Sequence, residues 1–160
     1  MEKVTKLINL PVMCENSKEK IGHISDVVFD FGKMSFAGYV VAMGSFMKPT
    51  RFLPAENVKN MDNNLIWIED KNALTSSAFL KEQNNYKTFR RQTAGTHITK
   101  SGGVIGKISD IIYNSEEGKI AFFEVSNGFA EDVLYGRKNI NVNNDIVFGN
   151  NNVEINDKGE

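Results

Sequence analysis

The sequence predicts an all-β protein made of two small β-barrels of about six strands each, joined by a linker with a short helix. Two observations predict this architecture. The segment IGHISDVVF at 21–29 returns as IGKISDIIY at 105–113, with five of nine positions identical. Short apolar segments rich in β-branched and aromatic residues alternate with turn signals, a spacing typical of barrels and sandwiches. Helical periodicity is absent from these segments.

The repeat also predicts where the chain divides. The offset of 84 residues continues without a gap from 21–44 to 105–128, with eight of twenty-four positions identical. Two copies are too few for a solenoid, so each copy is expected to close on itself. We therefore expect a first barrel at 1–72, a linker with a short helix at 73–87, and a second barrel at 88–160.

The first copy contains six candidate strands, which are Leu10–Cys14, Ile21–Asp30, Phe36–Gly44, Arg51–Leu53, Val58–Met61 and Leu65–Glu69. Alternation of apolar and small residues around Tyr39 and Val41 indicates one inward face. The alternation breaks at Ser25 and Asp26, which predicts a bulge or bend. In the second copy, Val153–Ile155 is a further short strand candidate, and Gly102-Gly103 is expected to form a hairpin turn.

The linker has a different composition from the strands around it. Thr75, Ser76 and Ser77 precede the helix-forming run AFLKEQ, and two asparagines follow it. Hydroxyl residues before a run of helix formers are typical of an N-terminal cap. The pattern predicts one short helix in this segment.

Composition excludes several classes of protein. The chain has 160 residues, 41% of them apolar and 24% charged, which argues against disorder. Nineteen basic residues balance twenty acidic ones, so a general nucleic-acid binder is not favoured. The single cysteine, Cys14, excludes an intrachain disulfide. No stretch is apolar and long enough for a signal peptide or a membrane helix, so the cytoplasm is the expected location.

The repeated pattern G-x-I-x-D is carried by Gly22, Ile24 and Asp26, and again by Gly106, Ile108 and Asp110. Leu53-Pro54 and Val58 follow in the first copy, where the segment reads LPAENV. The second copy has YGRKNI instead, and in this alignment Ile140 corresponds to Val58. Over most of the chain this pattern resembles PRC-barrel domains. The resemblance implies small closed β-barrels that serve as assembly modules. The PRC-barrel family includes the barrel of the photosynthetic reaction-centre H subunit and that of a ribosome-maturation factor.

No motif for catalysis, a cofactor or a metal ion stands out. Asp26 and Asp110 form either an acid–base pair or, as the repeat favours, a structural pair that accepts backbone N–H groups. Asp30-Phe31-Gly32 lacks the other kinase motifs, and Ser101–Lys107 departs from a phosphate loop at both ends. His23 and His97 have no further ligands at metal-binding spacing. We therefore predict no catalytic residue, no cofactor and no metal site, and expect that the protein is not an enzyme.

Two corresponding loops carry the candidate partner-binding residues. The loop Gly44–Phe52 and its counterpart Gly128–Lys138 each combine apolar side chains with cations, and the candidates are Phe46, Met47, Arg51, Phe129, Tyr135 and Arg137. Such combinations suit a protein partner or an RNA base. In the alternative interpretation, the large apolar residues plug the open end of each barrel. A third basic cluster, Lys87, Arg90 and Arg91, is expected to be a solvated entry segment.

These observations favour a non-catalytic interaction module that docks a protein partner. A link to RNA or ribosome processing comes from the resemblance alone. The alternative is a small-ligand binder or enzyme with its site in a cleft between the barrels. An RNA binder would need Arg51, Arg90, Arg91 and Arg137 on one face. The sequence leaves a homo-oligomer open.

Overall fold

The computed structural model describes residues 1–44, 49–142, 146–149 and 151–156. Strands of the first half are β1 (Glu2–Lys3), β2 (Pro11–Cys14), β3 (Lys20–Asp30), β4 (Ser35–Met43), β5 (Thr50–Pro54), β6 (Asn60–Asp62), β7 (Leu65–Ile68) and β8 (Thr75–Ser76). Strands of the second half are β9 (Tyr86–Thr88), β10 (His97–Lys100), β11 (Gly103–Asn114), β12 (Lys119–Ser126), β13 (Lys138–Asn141), β14 (Ile146–Phe148) and β15 (Asn152–Ile155). Helical segments are α1 (Phe79–Glu82), α2 (Phe129–Tyr135), 3₁₀ turns at Val4–Leu7, Ala55–Asn57 and Lys71–Ala73, and a π-helical turn at Phe89–Thr93.

A long antiparallel hairpin forms the centre of each half. The strands β3 and β4 pair in the first half, and β11 and β12 pair in the second. In each hairpin the register shifts at the same place, between Ile24 and Asp26 and between Ile108 and Asp110. The bulge predicted at Ser25-Asp26 is thus confirmed, and it recurs in the second copy. A bulge bends and twists its strand, which lets one strand serve two faces of a small core.

Shorter strands extend both hairpins in the same way. The parallel pairing of β7 with β2 has its counterpart in β15 with β10, which confirms the strand predicted at Val153–Ile155. On the other side, β5 pairs with β4 and β13 pairs with β12. Leu53 faces Tyr39 and Ile140 faces Phe123, so Ile140 corresponds to Leu53. Its alignment with Val58 was wrong, because α2 lengthens the second copy before β13.

The hairpin between β10 and β11 turns one residue earlier than predicted. Lys100 pairs with Gly103, so Ser101 and Gly102 are the two turn residues. Both have positive φ angles, 51° and 80°. Two successive residues with positive φ match the right-handed twist of the flanking strands, as a type I′ turn does.

The two halves exchange the segments that lead into them. The strand β1 pairs with β11 of the second half, where Lys3 faces Ile112. The strand β9 precedes the second half but pairs with β3 of the first, where Thr88 faces Val28. The hairpin ends also meet symmetrically, with Phe36 N–H donating to Gly118 O at 2.8 Å and Ile120 N–H donating to Met34 O at 2.9 Å.

One hydrophobic core runs through both halves. Its fully buried members include Val27, Phe29 and Leu53 from the first half and Ile108, Ile111 and Phe123 from the second. Pairing leads from β14 at one end of the sheet to β6 at the other, so hydrogen bonds between the described strands do not close a ring. The all-β class and the short linker helix, α1, are confirmed. The boundaries at 72 and 87 stay a prediction.

Candidate functional site

Asp26 is a structural anchor for the exchanged entry segment. Its side chain is 3% exposed. One carboxylate oxygen accepts hydrogen bonds from the backbone N–H groups of Val27 at 2.8 Å and Arg90 at 2.7 Å. The other accepts from Arg91 N–H at 3.3 Å. Because Arg90 and Arg91 belong to the π-helical turn after β9, Asp26 fixes that turn onto the first half.

Asp110 performs the same task in the opposite direction. It is also 3% exposed and accepts from the N–H groups of Ile111 at 2.9 Å and Thr5 at 3.2 Å. The Thr5 hydroxyl donates to its second oxygen. Both carboxylates therefore bind backbone donors at a bend, as the repeat predicted, and they belong to separate sites.

The segment Gly128–Lys138 is not the predicted loop, because 129–135 form the helix α2. Four large apolar side chains of this helix lie in solvent, and we call them the α2 surface: Phe129, Val133, Leu134 and Tyr135, which are 86%, 68%, 72% and 81% exposed. Phe129 and Tyr135 therefore do not plug the second half. Arg51 is exposed as well. Phe46 and Met47 lie outside the described residues.

Asp132 attaches α2 to the end of β12. Its carboxylate accepts from the Ser126 hydroxyl at 2.6 Å, from Asn127 N–H at 3.2 Å and from Arg137 Nε at 3.4 Å. The Ser126 hydrogen bond is the main reason that the pKa of Asp132 lies below its usual value. The helix is therefore held through Asp132, while its large apolar side chains stay exposed.

Arg137, a predicted partner-binding residue, also binds within the chain. Its guanidinium donates to Glu124 Oε1 at 3.0 Å, and Lys3 and Ser109 donate to the same carboxylate. Burial alone would raise the pKa of Glu124, but the hydrogen bonds from Lys3, Arg137 and Ser109 outweigh burial and hold it below its usual value. Glu124 was not among the predicted site residues, although an acid within the apolar β12 segment is a visible signal in the sequence.

A cleft lined by positively charged residues lies on the first half, where the exchanged entry segment crosses β3. It has a volume of about 680 Å³. We call it the basic cleft, because four cations line it: Lys81, Lys87, Arg90 and Arg91. Apolar groups of Val28, Val40, Leu80 and Tyr86 form part of its wall. Lys87, Arg90 and Arg91 form the basic cluster noted in the sequence. Lys81 and Tyr86 were not predicted, since nothing local to them indicates the fold that brings them together.

The four arginines required for an RNA-binding face are not brought together. Arg90 and Arg91 line the basic cleft. Side chains alternate along a strand, so Arg51 lies on the face of β5 opposite to Phe52, which packs against Val28 and Val40 beneath the cleft. Arg137 binds Glu124 in the other half.

Cys14 ends β2 as a buried side chain, 5% exposed, and its thiol donates to Glu69 O at 3.3 Å. It packs in the core as a small apolar residue does. Within the described part of the chain, no three His, Cys, Asp or Glu side chains form a group that could hold a metal ion.

The comparison with known families agrees with the repeated hairpins. The PRC-barrel domain matches residues 1–72 and 98–154, which is most of the chain and includes both copies of the G-x-I-x-D motif. This chain belongs to the PRC-barrel family. No curated protein matches it. Among the described residues of this PRC-barrel protein, no helix is long and apolar enough to cross a membrane. The segment between the two matches, 73–97, holds α1, β9 and all four cations of the basic cleft.

Proposed function

We propose that this PRC-barrel protein is a non-catalytic interaction module that docks a protein partner through the α2 surface. The observation that carries the proposal is the exposure of four large apolar side chains on one seven-residue helix. Exposed apolar patches are typical of interaction sites, and aromatic residues often supply most of the binding energy. The partner that suits this surface is a protein with an apolar pocket.

The attachment of α2 supports docking by a rigid element. Asp132 and Arg137 hold the helix against β12 through side-chain hydrogen bonds, so little conformational entropy would be lost when a partner binds. Glu131 beside the apolar side chains is exposed and supplies part of a polar rim. This acid and Asp132 make the α2 surface a poor match for RNA phosphates.

The absence of catalysis is part of the proposal. The oxygens of the repeated carboxylates, Asp26 and Asp110, accept backbone N–H groups and, at Asp110, also the Thr5 hydroxyl, which supports a structural role. A link to RNA or ribosome assembly rests on family resemblance. We also propose the cytoplasm as the location, which the single, buried and unpaired Cys14 supports.

Affinity capture from the native cell tests the docking proposal. The test variant is Phe129→Ser with Tyr135→Ser. The control is Val104→Ser with Val147→Ser, which removes two other exposed apolar side chains, 64% and 51% exposed. We expect the wild type and the control to recover the same specific proteins and the α2 variant to lose them. Loss of two aromatic contacts should weaken a purified complex by about 30-fold or more.

Recovery of the same partners by the α2 variant and the control would refute docking through α2. Thermal unfolding of each variant verifies that the fold is intact, since exposed substitutions normally change stability by less than about 0.5 kcal/mol. Light scattering on the purified chain addresses self-association. A dimer that the α2 variant dissolves would identify a second copy of this chain as the partner.

A further inference from the structure

The basic cleft has the size and position of a small-molecule site. Its volume of about 680 Å³ falls within the roughly 300–1,000 Å³ typical of ligand pockets. It lies where the entry segment of one half crosses the other half, with β3 and β4 on one side and β9, the π-helical turn and α1 around it. The α2 surface belongs to the other half, so this site is independent of the proposed function.

The charge of the cleft favours an anion. Four cations line it, against one carboxylate, Asp26, whose oxygens already accept three backbone N–H groups. This local excess occurs in a chain whose formal net charge is −1. The ion pairs among the described residues use other cations, namely Lys3, Lys59 and Arg137. Arg90 donates to Ser25 O at 3.2 Å, which fixes its guanidinium at the cleft.

The walls of the cleft favour a ligand that also has a flat apolar face. Val28, Val40 and Leu80 contribute hydrocarbon to the lining, and the Tyr86 ring stands beside them, half-buried. Tyr86 is fixed by aromatic neighbours, with ring centroids 6.4 Å from Phe52 and 6.3 Å from Phe79. The Tyr86 phenol can donate a hydrogen bond, because a tyrosine with its ordinary pKa of about 10 is protonated at neutral pH, and burial raises this pKa further.

We propose that the basic cleft binds a nucleoside phosphate. Guanidinium and ammonium groups of Arg90, Arg91 and Lys87 would bind the phosphates, because charge-assisted hydrogen bonds to phosphate are strong. The base would stack against Tyr86 over the apolar wall, as bases do on aromatic side chains. A free nucleotide fits better than an RNA strand, because the cations converge on one cleft and Arg51 and Arg137 lie elsewhere.

Calorimetry on the full chain distinguishes the parts of this proposal with three probes: adenosine diphosphate, adenosine and inorganic pyrophosphate. We expect the diphosphate to bind at one site per chain, about tenfold or more tightly than either fragment, since each fragment lacks one set of contacts. Adenosine that binds as well as the diphosphate would overturn the role of the cations. Pyrophosphate that binds as well would overturn the role of the aromatic wall. No binding of the diphosphate would overturn the proposal.

Charge-matched variants test the location. Lys81→Gln with Arg91→Gln removes two cleft cations with exposed side chains, and Arg51→Gln with Lys138→Gln removes two exposed cations outside it. We expect the first pair to weaken diphosphate binding by about tenfold or more and the control pair by less than about twofold. Equal losses would show that binding follows net charge, and the proposal would fail.

A spectroscopic map adds a measurement that does not depend on variants. Addition of the diphosphate should shift the amide resonances of 86–93, which form β9 and the π-helical turn. Shifts confined to another part of the chain would overturn the assignment. A short single-stranded RNA serves as competitor. If it binds more tightly than the diphosphate and displaces it, the site is an RNA site and the nucleotide proposal is wrong.

Discussion

The two halves place different side chains at one equivalent position of their central hairpins. Asp26 faces Val40 across β3 and β4, whereas Asp110 faces Glu124 across β11 and β12. The backbone arrangement around this position is the same in both. In each half, the serine before the aspartate donates to the backbone carbonyl oxygen of the residue that faces the aspartate. Ser25 donates to Val40 O at 3.2 Å, and Ser109 donates to Glu124 O at 3.1 Å. A shared scaffold thus carries two different chemical surfaces.

The consequences of this single difference are large. Val40 presents hydrocarbon, and the surface beside Asp26 is the basic cleft. The ion pairs between described residues do not use its cations. Glu124 instead forms ion pairs with Lys3, which lies on the exchanged entry segment, and with Arg137, which follows α2 in the chain. The anchoring aspartates are retained in both halves, while the neighbouring position differs. The two copies thus share the residues that anchor the fold and differ in the residues that are available for binding.

The largest expected effect concerns the feature that the halves share. Asp26→Ala leaves three backbone N–H groups without their acceptor, and Asp110→Ala leaves two N–H groups and a hydroxyl. We expect each variant to lower the free energy of unfolding by about 2–4 kcal/mol, because donors that lose their acceptor at these buried carboxylates keep a desolvation penalty. The loss should be at least as large for Asp26, since a freed hydroxyl can turn toward water. Urea denaturation measures both.

Glu116→Ala, an exposed carboxylate in the β11–β12 turn, is the matched control for these two variants and should change stability by less than about 0.5 kcal/mol. A cost below about 1 kcal/mol at either aspartate would show that the exchanged entry segments do not depend on these carboxylates.

A smaller effect is expected where the halves differ. The pKa of Glu124 is lower in the folded chain than in an unfolded one. Such a carboxylate stabilises the fold above its unfolded-state pKa, about 4.3, and this contribution disappears as the pH falls through the folded-state value. Glu124→Gln should therefore cost about 1–3 kcal/mol near neutral pH and much less at about pH 3. Urea denaturation at both pH values measures the change, and an equal cost at both would contradict it.

Local patterns explain why much of the fold was predictable. Alternation and β-branched residues predicted the strands around Tyr39 and Val41, and its interruption predicted the bulge at Ser25-Asp26. The motif glycine also has a local cause, because a Cβ at Gly22 would collide with the carbonyl oxygen of Ala42 on the paired strand. Each of these features depends on neighbours within one hairpin. The repeat strengthened the prediction of the strands and the bulge, since the same pattern occurred in both copies.

The exchange of entry segments and the basic cleft were not predictable in this way. The strands β1 and β9 have two and three residues, too few for a hydrophobic period. The local sequence therefore does not indicate which strand each of them pairs with. The cleft follows from that exchange, because its cations lie on the segment that crosses to the first half. The helix at 129–135 was not predicted for another reason. Its apolar residues resembled those of the first-copy loop, so the whole segment was expected to form a loop as well.

The smallest expected effect isolates the comparison at a single hydroxyl. Ser25 donates to Val40 O, whereas Ser109 contacts both the carbonyl and the carboxylate oxygen of Glu124, each at 3.1 Å. Hydrogen bonds to charged groups contribute more than those to neutral ones. We therefore expect Ser109→Ala to lower the free energy of unfolding by about 1–2 kcal/mol and Ser25→Ala by about 0.5–1 kcal/mol. In the Glu124→Gln background the two serines should become nearly equivalent, which a double-mutant cycle measures. A persistent difference would place the asymmetry in the backbone rather than in the Glu124 carboxylate.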